Sequence, residues 1–254
     1  MMSEDDYVRS ALARYDLPSG EVSPAEMAAG ELTKPITEWA GKYLLGIQHC
    51  GSYAKGTRVK GGTDIDLLVS LGPRTPLDAD KLYDRFFVFM RDRGYKPVRK
   101  NVSLGLQLRG LQIDLIPARQ EWGGSNDHRI FETEHRRVTR TNFDTHLTVV
   151  EGSGVVEEIR LMKIWRTLRN LRMPSFCLEL AVIDALRNRP RGQPAANMEA
   201  VLVYFRETLP GAPIRDPANF ENRVSDDLLR HEKIAIAEAA TASLREADWV
   251  RVVW

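Results

Sequence analysis

The sequence predicts an α+β chain in two lobes, on three observations. Short branched and apolar runs alternate with helical stretches up to about residue 150. Beyond residue 155 the texture is almost wholly helical. Two of the apolar runs, DIDLLVSL and LQIDLIPA, carry carboxylates among their apolar residues. An α/β lobe with N-terminal helices is therefore expected over residues 1–150 and a helical lobe over 151–254.

The elements follow in order. Residues 4–15 and 24–45 have helical texture. SPAE introduces the second, with Ser23 as cap, Pro24 at the first helical position and Glu26 in the first turn. Pro35 within that stretch predicts a kink or a break between two helices. GIQHCGSYAKGT reads as a short strand, a Gly-Ser turn and a helix start, and DIDLLVSL as a strand. PLDADKLYDRFFVFMRDRG is helical by its periodicity and closes at Gly94. YKPVRKN, VSLGLQLRG and LQIDLIPA form a meander of short strands joined to the first one. After Pro117 the stretch RQEWGGSNDHRIFETEHRRVTRTNFDTH is polar and loop-rich. In the second half VVEEIRLMKIWRTLRNL, PSFCLELAVIDALRNR, NMEAVLVYFRETL and DDLLRHEKIAIAEAATASLREA space their apolar residues by three and four. No internal repeat appears.

Composition excludes several classes. A chain of 254 residues, 43% of them hydrophobic, buries a full core without staples. The net charge of +1 offers no broad basic field for a long nucleic acid. Basic residues do cluster at Lys96, Arg99 and Lys100, at Arg136, Arg137 and Arg140, and at Arg166, Arg169 and Arg172. Cys50 and Cys177 are too few and too far apart for a disulfide framework or a zinc ribbon, and both read as buried small hydrophobes. The histidines show no ligand spacing. MMSEDDYVRS is acidic where a secretory leader would be basic and then apolar, and no apolar run reaches membrane-spanning length. A cytoplasmic protein without membrane association is expected.

Asp64 and Asp66 stand two apart on a strand, so their side chains share a face. Like charges side by side repel, and a divalent cation is the simplest compensation. Oxygen ligands on a strand suit Mg²⁺. Asp114, isolated among the apolar residues of LQIDLIPA, supplies a third carboxylate, and three such groups from neighbouring strands can hold two ions. Upstream, Gly51 and Ser52 make a turn whose backbone N–H groups suit a phosphate, completed by Gly56 and Thr57. A lone Gly-Ser turn or a lone Asp-x-Asp is most often plain surface. The ordered combination is far more specific.

GSYAKGTRVKGGTDIDLLV resembles the signature of the polymerase-beta-like nucleotidyltransferases, and within them the branch of oligoadenylate synthetases, cyclic GMP-AMP synthases and bacterial cGAS/DncV-like enzymes. Archaeal-type CCA-adding enzymes are near relatives of that branch. The resemblance implies a bilobed fold: a nucleotidyltransferase lobe with a mixed sheet flanked by helices, then a helical lobe closing the nucleotide groove. It implies Asp64, Asp66 and Asp114 as the catalytic metal ligands for two Mg²⁺ (or Mn²⁺) ions, and Gly51 and Ser52 on the donor triphosphate. IRLMKIWRTLRNLRMPSFCLELAVIDAL resembles the helical segment of the same enzymes. Carried over, Lys163 and Ser175 contact the triphosphate and Phe176 stacks on a base, while Leu161 and Trp165 belong to the core. Asp216 and Asn222, in IRDPANFENRVSDD, resemble an element that fixes the helical lobe beside the groove. TRTNFDTH departs from the pattern, since relatives commonly have a proline there.

The expected activity is a second-messenger synthase that joins NTPs into a cyclic or short linear oligonucleotide with release of pyrophosphate, as in bacterial antiphage (CBASS-type) signalling. The expected partners are NTP substrates, a regulatory protein or nucleic-acid activator, and a messenger-sensing effector. Chain length favours this reading, since no tail remains to grip a tRNA. The basic clusters support the alternative, a template-independent RNA 3′-end nucleotidyltransferase. A non-catalytic or toxin–antitoxin module on the same fold is a third option. An intact aspartate set opposes it.

Overall fold

The structure is a computed structural model and describes residues 2–16, 24–61 and 65–254. The expected helix cap Ser23 and the carboxylate of Asp64 lie outside the described residues. The chain divides into two compact units: Pro18–Lys55 with Gly62–Leu147, and Met1–Leu17 with Gly56–Gly61 and Thr148–Trp254. One change of unit falls between Leu147 and Thr148. The N-terminal helix and the segment Gly56–Gly61, however, belong with the C-terminal half.

In the first of these units, α2 (Pro24–Ala40) leads through a 3-10 turn into β1 (Leu44–Cys50). The helix stops at Ala40, short of the expected residue 45, because Gly41 turns into the left-handed region at φ +53°. No break occurs at Pro35, which is buried within α2. The apolar face of Ala28, Leu32, Ile36 and Ala40 holds the helix together across it. After β1 come α3 (Gly51–Ala54), β2 (Ile65–Leu71), α4 (Ala79–Asp92), β3 (Val98–Arg99), β4 (Leu104–Leu108) and β5 (Leu111–Gln120).

The described residues of this unit form a seven-stranded mixed sheet along the path β1-β2-β5-β4-β3, with a hairpin of β6 (His128–Glu132) and β7 (Arg137–Thr141) joined to β5. The meander expected of β3, β4 and β5 is present, and β5 lies parallel to β2. The stretch 119–146, expected to be loop-rich, thus also holds a paired hairpin. β5 runs through Pro117 to Gln120, and β6 and β7 follow. Pro117 is tolerated because β4 pairing ends at Leu115 and β6 joins only at Arg119, so no antiparallel neighbour needs its missing donor.

Alternation along the central strands decides which face does what. Ile65, Leu67, Val69 and Leu71 on β2, with Ile113 and Leu115 on β5, pack into one core with Leu32 and Ile36 of α2 and Leu82, Phe86 and Met90 of α4. The intervening residues face the other way, where Leu68, Ile116 and Ala118 join Cys50 and Ile130 in a smaller cluster. Asp66 and Asp114 occupy that second face.

The other unit is built on helices. α1 (Glu4–Ala13), α6 (Val156–Leu168), α7 (Ser175–Ala185), α8 (Pro194–Glu207) and α9 (Arg230–Ser243) share one core. α5 (Phe143–Glu151) directly precedes α6 and spans the change of unit at Thr148. A hairpin of β8 (Arg215–Asp216) and β9 (Asn219–Arg223) lies between α8 and α9. Within it Asp216 accepts from the Ala218 amide at 2.8 Å and from Asn222 at 3.5 Å. Val8, Ala11 and Leu12 of α1 pack with Ile159, Met162 and Trp165 of α6, which explains why α1 belongs to this unit. Leu161 and Trp165 are fully buried, as expected of core residues, and so is Cys177. Burial pushes the Cys177 thiol up to about 12. Among the described residues no helix is long and apolar enough to cross a membrane.

The Trp165 indole N–H donates to Ser243 Oγ at 2.9 Å, both groups buried, so α6 and α9 share one polar link inside an apolar core. Ser243→Ala leaves that donor without its acceptor and is expected to destabilise the protein by about 1–3 kcal/mol. Urea denaturation of the variant beside the wild type measures the difference.

Candidate active site

The strand registers bring two of the three expected carboxylates together. Asp66 lies opposite Cys50 of β1 on one side and Asp114 of β5 on the other, and Asp114 lies opposite Gly105 of β4. Cys50, Asp66, Asp114 and Gly105 thus form a row across the sheet on the face away from α2 and α4. Asp114 is buried, while Asp66 is half-exposed.

The Gly-Ser turn closes over this row. Gly51 follows β1 directly, opens α3 and has φ +60°. A Cβ on Gly51 would lie 1.8 Å from Asp66 Oδ2. Glycine is therefore required twice, by the backbone conformation and by the approach of the carboxylate. Ser52 follows, half-buried. Burial first, and the Asp66 carboxylate second, push the Cys50 thiol far above its ordinary range, so it is inert beside the acids.

Asp114 is held by donors on both oxygens. Lys100 Nζ lies 2.8 Å from Oδ1 and 2.9 Å from Oδ2. Ser103 Oγ donates to Oδ2 at 3.2 Å, and Gln112 Nε2 to Oδ1 at 3.2 Å. Gly105 makes room for these groups, since a Cβ there would meet Gln112 Nε2 at 2.7 Å and Lys100 Cε at 3.0 Å. A buried tyrosine fixes the loop that carries two of them: the Tyr83 hydroxyl lies 2.8 Å from the Lys100 carbonyl and 3.0 Å from that of Ser103. The sequence placed Lys100 only in a basic cluster. Its adjacency to Asp114 arises from the β3–β4 turn, which composition does not display.

The groups present fit a hard divalent cation. The ligands are oxygens, two of them stand side by side in register, and an ammonium already supplies positive charge at Asp114. Among the described residues no group of three or more His, Cys, Asp or Glu gathers as a metal site, and Asp64 is not among those residues.

The remaining expected residues lie in the helical unit. Lys163 was expected on a triphosphate. Here its ammonium is buried and donates to Glu179 Oε1 at 2.6 Å and to Thr57 Oγ1 at 2.8 Å, and Thr57 donates to Glu179 at 2.9 Å. This buried triad holds the segment Gly56–Gly61, which links the Gly-Ser turn to the strand bearing Asp66. Ser175 is exposed at the first position of α7, where its hydroxyl accepts from Arg166 at 3.2 Å. Phe176 is partly buried against the core.

No protein-family model matches the sequence, and no curated protein is similar to it. Solved structures do match in fold. Escherichia coli MS115-1 CdnC in complex with HORMA-deltaN aligns with a TM-score of 0.76 at 20% identity, covering 95% of this chain and 90% of that one. The CD-NTase CdnG of Bradyrhizobium diazoefficiens in complex with GTP aligns at 0.73 and 14% identity, covering 94% and 90%. The CdnE cyclic dinucleotide synthase of Elizabethkingia meningoseptica, with GTP and Apcpp, aligns at 0.69 and 14% identity, covering 96% and 99%. The chain thus has the fold of the CD-NTases, the cGAS/DncV-like branch that its motifs resemble.

Two substitutions probe this geometry. Gly51→Ala drives a methyl group into the Asp66 carboxylate, and a lowered melting temperature is expected from calorimetry. Lys163→Met strands a buried Glu179 carboxylate and is expected to cost about 3–5 kcal/mol in denaturant unfolding.

Proposed function

We propose that this protein is a nucleotidyltransferase that joins NTPs into a cyclic or short linear oligonucleotide. One observation carries the reading: Asp66 and Asp114 stand in register on adjacent parallel strands with the Gly51 turn against the first of them. The CD-NTase fold supports it, as do complexes of its structural neighbours with ATP or GTP.

In this reading Asp64, Asp66 and Asp114 hold Mg²⁺ or Mn²⁺, two ions in all. When bound, such ions activate an attacking hydroxyl and neutralise a departing pyrophosphate. The chain's own groups do the placing. Gly51 and Ser52 take the donor phosphates on the turn beside Asp66, where the missing Cβ of Gly51 lets the turn lie against that carboxylate. Asp114, on the neighbouring strand, lies on the side of the attacking ribose hydroxyl. That hydroxyl forms the new bond to the α-phosphorus as the bond to pyrophosphate breaks. Ser175 and Phe176 provide a hydroxyl for phosphate and an aromatic face for a base. Lys163, engaged with Glu179, holds Thr57 and with it the segment that follows the turn.

The messenger would serve antiphage signalling in a bacterial cytoplasm, with a downstream effector that senses it. The HORMA-containing complex of one neighbour supports a protein regulator. RNA tailing stands second, because much of its basic support is engaged internally. Arg99 pairs with Asp84, Lys100 with Asp114, Arg137 with Glu132 and Arg172 with Glu232, and Arg166 donates to the Met173 carbonyl.

The protein is expected to release pyrophosphate from NTPs alone in Mg²⁺ or Mn²⁺, giving oligonucleotides identified by mass spectrometry after phosphatase treatment. Asp66→Asn should keep the fold and lower turnover by more than about 10²-fold. No product from NTPs, with labelled nucleotide appearing on added RNA, would establish tailing instead. Tight RNA binding that weakens steeply with salt would point the same way.

A further inference from the structure

We propose that Lys100 is a built-in counter-cation of the acidic row, which a divalent ion must displace from Asp114 before the site is loaded. The inference rests on the metal reading above and adds to it an exchange step at a named residue.

Donor count is the first argument. A carboxylate offers about four lone-pair sites. Asp114 already accepts from Lys100, Ser103 and Gln112, with the Lys100 ammonium within 2.9 Å of both oxygens. An ion seeking Asp114 therefore meets an occupant of like charge. Ser103 and Gln112 are neutral and hold one oxygen each, so they keep the carboxylate oriented while the ammonium leaves.

Exposure gives the second argument, and the protein supplies its own contrast. The side chains of Lys163 and Glu179 are 4% and 2% exposed, so that pair has no route to solvent. Lys100 is 36% exposed against 10% for Asp114. Its ammonium can move into water and leave no unpaired buried charge, provided a cation replaces it at Asp114.

The surroundings are built for this exchange. The Lys100 carbonyl accepts from Tyr83 and from Thr133 Oγ1 at 3.1 Å, and its amide donates to the Ser103 carbonyl at 2.9 Å. The backbone is thereby fixed while the side chain swings. Gly105 keeps clear the space through which Lys100 Cε passes. The carboxylates are compensated on both sides of the exchange, by a single positive charge before it and by a divalent ion after it. Without metal, Lys100 relieves the repulsion between Asp66 and Asp114.

Amine acetylation of the folded protein, read by peptide mass spectrometry, tests the exchange, with exposed Lys96 as internal reference. Labelling of Lys100 is expected to rise several-fold with Mn²⁺ while Lys96 stays constant. In Asp114→Asn it should be high without metal and indifferent to it. Electron paramagnetic resonance follows Mn²⁺ binding separately, and Lys100→Met should bind the ion several-fold more tightly. If Mn²⁺ binds to the wild type while Lys100 labelling stays flat or falls, the displacement is refuted and the metal reading survives. If Mn²⁺ binds neither protein, both fall together.

Discussion

The parallel pairing of β2 with β5, in the register that sets Asp66 opposite Asp114, is the constraint on which the rest depends. A slip of one residue would turn one acid toward the helices α2 and α4 and lift its neighbours out of the core. The register that buries Ile65, Leu67 and Val69 therefore also assembles the acidic row. Core formation and site formation are a single event. The row then dictates its surroundings: glycine on both flanks, a cation on Asp114, and a thiol at Cys50 that stays protonated.

The helical unit shows a second use of polar groups. α6 carries three buried polar side chains, each tied to a different partner. Glu158 accepts from Asn197 of α8 at 2.7 Å, Lys163 reaches Glu179 of α7 and Thr57, and Trp165 reaches Ser243 of α9. Apolar surfaces pack in several registers at similar energy, whereas hydrogen bonds between buried groups do not. Three such links fix the rotation of α6 and its position along its own axis against three neighbouring helices.

The parts legible in the sequence were those with local causes. Isolated carboxylates among branched residues gave away Asp66 and Asp114, and a glycine before a serine marked the turn. Why that residue is glycine was not legible, because the approach of Asp66 is a tertiary fact. The β6–β7 hairpin was missed because its strands, HRIFE and RVTRT, are polar by composition. Only the alternation of buried His128, Ile130 and Glu132 marks a strand there. Lys100 was hidden because its partner arrives through a turn and a strand pairing. Lys163 is placed on a triphosphate by resemblance alone, and its contact with Glu179, sixteen residues on, is a tertiary pairing that the sequence does not display.

The passage of Gly56–Gly61 through the helical unit has a consequence for how the protein is made. Thr57 leaves the ribosome long before Lys163 and Glu179, and α1 long before the helices it packs on. Neither unit is a continuous stretch of chain: the sheet unit has all its residues once Leu147 has emerged, whereas the helical unit gathers two earlier segments and is completed last. The strand that carries Asp66 leads on from a segment whose anchor emerges more than a hundred residues later. Such long-range closure is slow, and α1 must wait through that interval with Val8, Ala11 and Leu12 uncovered. The segment that follows the Gly51 turn is thus anchored only once Lys163 and Glu179 have emerged, so a chain cut short before them keeps the acidic row and loses the hold on Thr57.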